Sequence, residues 1–579
     1  MSKYSVPQET QRVFLDGILN DSLIAPTLPE KAKEYAAQVS FVGSDAPSLP
    51  INWRFAESIA SLKGLESIMI NALLDKKYNS DPVKVEIDTD HAQLFIMSSL
   101  LWTIDPSGEN MSASSLISEE GRQRLARYFP SWDKYGANNG PYNTAATNIY
   151  KTKDGRFFHI HASMNAGPTI ESVQLPPTNP EVTTNEQAWR VFGDAVGKHT
   201  AEEMQGIATN QYRQAGTICY SKEEFKQSEH GKANAHVGLF EVHEHPNKNQ
   251  KACWWPENST LPSSPKRPLA GLKVIDLTRV IAGPAISRGL AEMGASVIRV
   301  IGPELVDLSP LHPDLNHGKW NTLLDMKNED DRKKLRDLVL EADVFLQGYR
   351  PHVLDKYGFG EKDILDICRE RERGIIYARE NCYGWLGPWK DRSRWQQISD
   401  ANCGVSLEFG RAMGHDEPVT PVFPNSDYCT GVCGVAGILA AVLKRAEIGG
   451  SFTVDIALNY YSRWLVENVG VYPLEVWQEL WQRNGSLVFR HYHGMTYMLP
   501  KVFGQVFKNS AGVLLKPSHF TQYPIKNMGG KVIKYPGPVI RFPGKEVELG
   551  YNVGTRTNGV DLPYWPKDLS VEVVGKESI

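Results

Sequence analysis

The sequence predicts an α/β protein, a Rossmann-like, doubly wound parallel sheet domain with a smaller α+β domain beside it. Three observations predict this. Between residues 268 and 450, strand-like apolar runs alternate with helical runs at the spacing of βαβ units. The first of these strands, "LKVIDLT", passes through a short turn into a helix, the place where open α/β sheets take a nucleotide-like ligand. The length of 579 residues exceeds what one core supplies, so two or three domains are expected.

The elements follow in chain order. Residues 1–50 are polar and punctuated by Pro and Ser, with one short helical stretch over 31–39. "FAESIASLKGLESIMINALLDKKY", 55–78, has helical apolar spacing, and "VKVEI" then alternates as a strand. "NIYKTKDGRFFHIHA", 148–162, reads as a β-hairpin turning at Asp154-Gly155. Residues 186–233 read as helical and charged, and 245–267, rich in Pro, Ser and Asn, as a linker. Beyond it, "LKVIDLT", "SVIRVI", "DVFLQGY" and "GIIYAREN" are strands, and "PAISRGLAEMGA" and "DDRKKLRDLVLEA" are helices. The stretch 500–579 is rich in Gly, Pro and short β-like runs and shows no strong helical period.

Composition narrows the function classes. The net charge of −4 and the absence of any basic run give no nucleic-acid footprint. The longest apolar run, Val432 to Leu443, is too short to cross a bilayer, so no membrane partner is expected. "MSKYSVPQETQ" lacks the apolar core of a signal peptide, and "KESI" matches neither a peroxisomal nor an ER address. Seven scattered cysteines fit reduced intracellular thiols, and no cluster has metal-ligand spacing. A cytoplasmic location is expected, with peroxisome and mitochondrion left open.

Two features point to chemistry. "NSDYCTGVCG", 425–434, places Asp427 where a Gly- and Ala-rich helix begins; it could cap that helix or act as a reactive carboxylate, and position alone leaves both open. Arg279, Arg299, Lys327, Arg350 and Lys356 recur at strand ends and their connections, where convergent positive charge would suit several phosphates. The glycine fingerprint of dinucleotide sites is absent, and Ala282-Gly283-Pro284 stands in its place, which disfavours NAD. Pro284 suits the first helical position. An internal repeat lays "INALLDKKYNSDPVKVEID" over "LAAVLKRAEIGGSFTVDIA" without a gap and sets Ser58 opposite Asp427. Chance similarity of two helix–turn–strand units is the alternative account.

The ordered segments "PLAGLKVIDLTRVIAGPAISRGLAEMGASVIRV", "LLDMKNEDDRKKLRDLVLEADVFLQGYRPHVLDKYGFG", "GWLGPWKDRSRWQQISDANCG" and "NSDYCTGVCGVAGILAAVLKRAEIGGSFTVDIAL" resemble the family III CoA-transferases. That CaiB/BaiF group contains formyl-CoA and carnitine CoA-transferases and the α-methylacyl-CoA racemases. The resemblance implies coenzyme A across the strand ends, with Arg279, Ile281 and Ala282 beside it. It also implies contacts from Arg299, Lys327, Tyr349, Arg350, Lys356, Tyr357 and Arg394. Asp427 matches the family's catalytic aspartate, which attacks the acyl-CoA thioester, forms a mixed anhydride and exchanges CoA in ping-pong fashion. Amides at the helix start would favour its ionised form.

The chain departs from the family's pattern in places. Gly348 stands before Tyr349-Arg350-Pro351 where Asn is usual, Ile281 replaces a Gln, and Ile301 replaces an acidic residue. Trp395 occupies the position of the racemases' histidine, and His415 lies nearby in a loop.

Further motifs in front, "YGANNGPYNTAATNIYKTKDG" and "RQAGTICYSKEEFKQSEH", resemble the family's small-domain half. Within the first of them, the loop Gly136 to Gly140 is a candidate for closing over the intermediate. The domain expectation is therefore an N-terminal extension (1–50), a small-domain-like half (51–244), a linker (245–267) and a CoA-binding domain carrying Asp427 (268–450). The remainder, 451–579, is a connecting helix and a C-terminal segment returning to the large domain.

The functional expectation is CoA transfer between an acyl-CoA and a carboxylic acid. The alternatives are a 2-methylacyl-CoA racemase or epimerase and a non-catalytic acyl-CoA-binding homologue. No permanently bound cofactor and no metal are expected, with CoA or acyl-CoA as substrate. The resemblance also implies a homodimer, interlocked as in the family's members.

Overall fold

The computed structural model describes residues 4–578 apart from Asn138, Arg394 and the side chain of Ile117. Its central feature is a seven-stranded sheet. The strands are β1 (Glu241–His245), β2 (Lys273–Leu277), β3 (Ser296–Ile301), β4 (Lys319–Leu323), β5 (Val344–Gln347), β6 (Ile376–Asn381) and β7 (Ser451–Ala457). Their order is β4-β3-β2-β5-β6-β7-β1, with β2 to β7 parallel and β1 antiparallel at the edge. The six parallel strands thus follow the doubly wound order in which the chain reverses direction between β2 and β5.

Alternation along these strands explains the two covered faces. Val274, Leu346, Ala378 and Val454 point into one core with the helices α1 (Phe55–Tyr78), α2 (Ala282–Glu292) and α4 (Asn425–Ile448). Ile275, Leu277, Val300, Phe345 and Tyr377 point into the other, against α3 (Glu329–Glu341) and the C-terminal Trp565 and Leu569. Each fully buried side chain of this size stabilises the fold by roughly 1.5–3 kcal/mol. Helix α4 is long and apolar enough to span a membrane, yet it is buried inside the protein and serves as its core helix.

The repeated unit is visible in three dimensions. Helices α1 and α4 are both 24 residues long, and each leads into a strand, Val85–Asp88 and β7 respectively. They pack against one another at the heart of the largest core, so the N-terminal half shares that core with the sheet domain. Smaller sheets complete the chain. Val39–Val42 pairs parallel with Val85–Asp88, and the hairpin Asn148–Lys151 and Phe157–His161 adds Ala215–Ile218.

Several expectations need correction. Strand β4, "KWNTL", escaped notice because it is buried on both faces and carries Lys, Asn and Thr instead of an apolar alternation. The segment 186–233 is not all helical, since Ala215–Ile218 is a strand. Met495–Leu514 is a helix despite Pro500, held by a buried stripe at every fourth residue, Met498, Val502, Val506, Ser510 and Leu514. A boundary at residue 450 would cut β7 from its sheet, and one at 244 would divide β1. Within the N-terminal extension, residues 6–14 are helical and their Val13 and Phe14 lie in the main core.

Candidate functional site

The carboxyl ends of β2 and β5 open at the reversal point, and the turn after β2 is held by a buried ion pair. Lys319 Nζ lies 3.1 Å from Asp276 Oδ2 and donates also to the carbonyl of Pro284 at 2.9 Å. Asp276 accepts the Thr278 amide at 2.9 Å and the Ser287 hydroxyl at 2.6 Å. Both charged side chains are fully buried, and burial lowers the Lys319 ammonium to about 8. The turn itself is strained: Val280 sits at φ 73, where a β-branched residue is disfavoured. At Gly283 a Cβ would come within 2.6 Å of the Thr278 Cβ, so only glycine lets the helix start this close to the turn.

Helix α4 crosses α2 at equally short range. A Cβ on Gly431 would lie 2.6 Å from the Ala285 Cβ, and one on Gly289 2.7 Å from Val435 Cγ2. This close approach places the first turn of α4, and Asp427 within it, beside the strand ends. Asp427 is the third residue of the helix, and the N-cap position belongs to Pro424. Asp427 is therefore not a capping residue.

A cavity of about 460 Å³ lies at this point. Its wall contains Asp427, Glu380, Leu458 and Trp395, together with Ser163 and Met164 from the N-terminal half. Eight of the residues expected to contact CoA line the same cavity: Arg279, Ile281, Ala282, Lys327, Tyr349, Arg350, Lys356 and Tyr357. Arg279 stacks over the Tyr349 ring at 5.4 Å and donates to the Val306 carbonyl at 2.7 Å. Lys356 lies 4.8 Å from the Tyr357 ring centroid, and Arg350 donates to the carbonyl of Arg213 at 3.2 Å.

The electrostatics around Asp427 run against the expectation. Burial, then the neighbouring carboxylates of Glu380 and Asp400, hold its carboxyl well above the usual range. Two nearby negative charges and desolvation outweigh the helix amides. Asp400 is buried and pushed up to about 7, although it accepts hydrogen bonds from Ser426 Oγ and Gln396 Nε2.

Residues 269–486 match the model of the family described as CoA-transferase family III. The acetyl-coenzyme A transferase nodX of Hypoxylon pulicicidum is 48% identical over 573 residues, spanning 99% of this chain and 95% of the relative. The chain belongs to CoA-transferase family III. An acyl-CoA transferase of Gibberella moniliformis (strain M3125 / FGSC 7600) is 30% identical, over 94% of this chain and 93% of that one. A solved CAIB/BAIF family protein from Brucella suis is 28% identical over 35% of this chain and 56% of its own, with a TM-score of 0.30.

Within this family III chain, not every residue expected at the ligand reaches the cavity. Arg299 is 1% exposed, pairs with Asp307 at 2.7 Å and donates to the Thr278 carbonyl, so it braces the turn from behind. Arg394 lies outside the described residues, as does Asn138 of the Gly136–Gly140 loop. Pro284 is the third helical residue, not the first. Trp395, at the position that resembles the racemases' histidine, lines the cavity, and an indole transfers no proton at an α-carbon. His415 is not among the lining residues.

Glu380, Asp400, Ser163 and Met164 were missed. An acidic residue at the carboxyl end of β6 was a usable signal for Glu380, whereas Ser163 is separated from Trp395 by 232 residues and had none. All seven cysteines are free thiols. Among the described residues, the grouping with metal-ligand reach is Glu241, His243 and Asp455, whose ligand atoms lie within 4.8 Å of one another. None of the three lines the cavity, and Asp455 is already paired with Arg379 at 2.6 Å.

Proposed function

We propose that this protein moves CoA between an acyl-CoA and a carboxylic acid, with Asp427 as the nucleophile. The observation that carries this reading is the shared cavity: one wall holds Asp427, and the same space is bordered by Arg279, Lys327, Arg350 and Lys356. The cationic side chains suit the phosphates of CoA, and Tyr349, Tyr357, Ile281 and Ala282 suit its less polar parts.

The chemistry balances without a metal or redox group. An Asp427 carboxylate oxygen attacks the thioester carbonyl, the C–S bond breaks, and CoA leaves as thiolate. The product is an acyl–aspartyl anhydride. Attack of the thiolate on the Asp427 carbonyl releases the first acid as its carboxylate and leaves CoA on the aspartyl group. The incoming carboxylate reverses these steps and departs as the new thioester, with no net proton taken up. The raised affinity of Asp427 for protons makes its ionised form a stronger nucleophile, at the cost of a smaller ionised fraction.

Asp427→Asn tests the assignment. CoA exchange between acetyl-CoA and a panel of carboxylic acids should fall by about three orders of magnitude or more. CoA binding, followed by calorimetry, should persist. Exchange at the wild-type rate in this variant would sink the assignment.

A further inference from the structure

Trp395 is fixed more firmly than a cavity-lining side chain requires. Its indole Nε1–H donates to Ser163 Oγ at 2.9 Å. Its ring lies on that of His161, with centroids 4.7 Å apart and planes 9° from parallel. His161 is itself immobilised, since its Nδ1 accepts the Ser163 amide at 2.9 Å and its Nε2 meets Gln397 Oε1 at 3.1 Å. Burial holds this imidazole down to about 3, so it is neutral and presents a flat apolar face. Ser163 occupies φ 55, a left-handed conformation that serine adopts only when its surroundings impose it. The two side chains that hold the indole, Ser163 and His161, come from the N-terminal half, from the strand Phe157–His161 and the turn after it.

The position of Trp395 sets what it bounds. It precedes the helix Gln396–Asn402, whose Gln396 and Asp400 bond to each other and, through Asp400, to Ser426 beside Asp427. It also packs against the apolar cluster that includes Ala282, Cys382 and Leu458, and Ala282 and Leu458 line the cavity with Asp427. Trp395 and Asp427 thus line the same cavity, in which an acyl group bound at Asp427 would have the indole as part of its wall.

We propose that Trp395, latched by Ser163 and His161, closes the acyl end of the cavity and limits the enzyme to short-chain acyl groups. Trp395 is the specificity-determining residue, and Ser163 and His161 are positioning residues. The inference rests on the proposed CoA site and on Asp427 marking its acyl end, but its test reads affinities and not exchange.

The test uses S-ethyl-CoA and S-octyl-CoA, thioethers that cannot be cleaved, with affinities measured by calorimetry on the full-length protein. Wild type is expected to favour the ethyl thioether. Trp395→Ala should shift the ratio of the two affinities towards the octyl form by about tenfold or more, since a single methylene in an apolar pocket already changes selectivity that much. Ser163→Ala should shift it in the same direction by less, and it carries the test if Trp395→Ala fails to fold. A ratio unchanged in these variants, or a wild type that prefers the octyl thioether, overturns the proposal. Failure of Asp427→Asn to lose exchange would leave these affinities untouched, whereas absence of binding by either thioether would overturn the CoA site and this inference together.

Discussion

Ser426 donates its hydroxyl to Asp400 Oδ1 at 2.5 Å, which seats a buried carboxylate behind the residue next to Asp427. Burial pushes Asp400 from its ordinary value near 3.8 up to about 7. Between those two values the folded state binds more protons than the unfolded state, so its stability falls as pH rises through that window. Each unit of displacement corresponds to about 1.4 kcal/mol. Asp400→Asn, which cannot ionise, is predicted to raise the melting temperature over wild type at pH about 8 and to lose that advantage near pH 4. An equal change at both pH values would refute the assignment.

After burial itself, the Glu380 carboxylate does most to raise the Asp427 carboxyl. Glu380→Gln removes one negative charge and should lower the proton affinity of Asp427. The acidic limb of the kcat profile for CoA exchange then moves to lower pH. A limb that stays in place would mean that Asp427 is not the group titrating in it.

Arg299 and Lys356, both expected to touch CoA, should behave differently when replaced. Arg299→Met strands Asp307 and His312, which share the buried network, and should cost on the order of 3–5 kcal/mol in stability. Lys356→Ala, at an exposed position in the cavity wall, should leave the melting temperature unchanged and raise KM for acyl-CoA about tenfold with kcat preserved. Denaturant melts and steady-state kinetics on the two variants separate these outcomes.

Much of the sheet domain was legible because local pattern and burial agree there. β2, β3, β5 and β6 each read as short apolar runs, and the helix Phe55–Tyr78 emerged with its ends where they are observed. β4 was not legible because its Lys319 and Asn321 are buried by pairing, which a residue-by-residue reading counts as exposure. Arg299 misled for a related reason. A cation at a strand end can serve a ligand or a carboxylate, and Asp307, eight residues later, is identified as its partner only by the fold. Asp427 stood out through its motif, but the carboxylates raising its proton affinity come from β6 and from the helix Gln396–Asn402. The wall formed by Ser163, His161 and Trp395 joins residues from both halves of the chain, so no local window contains it.

The most direct measurement is chemical trapping of the acyl enzyme. The protein is incubated with acetyl-CoA, quenched with hydroxylamine, digested and sequenced by mass spectrometry. A hydroxamate on Asp427, present in wild type and absent without acetyl-CoA, is the predicted result. A hydroxamate on another residue, or none while exchange proceeds at full rate, would contradict Asp427 as the nucleophile.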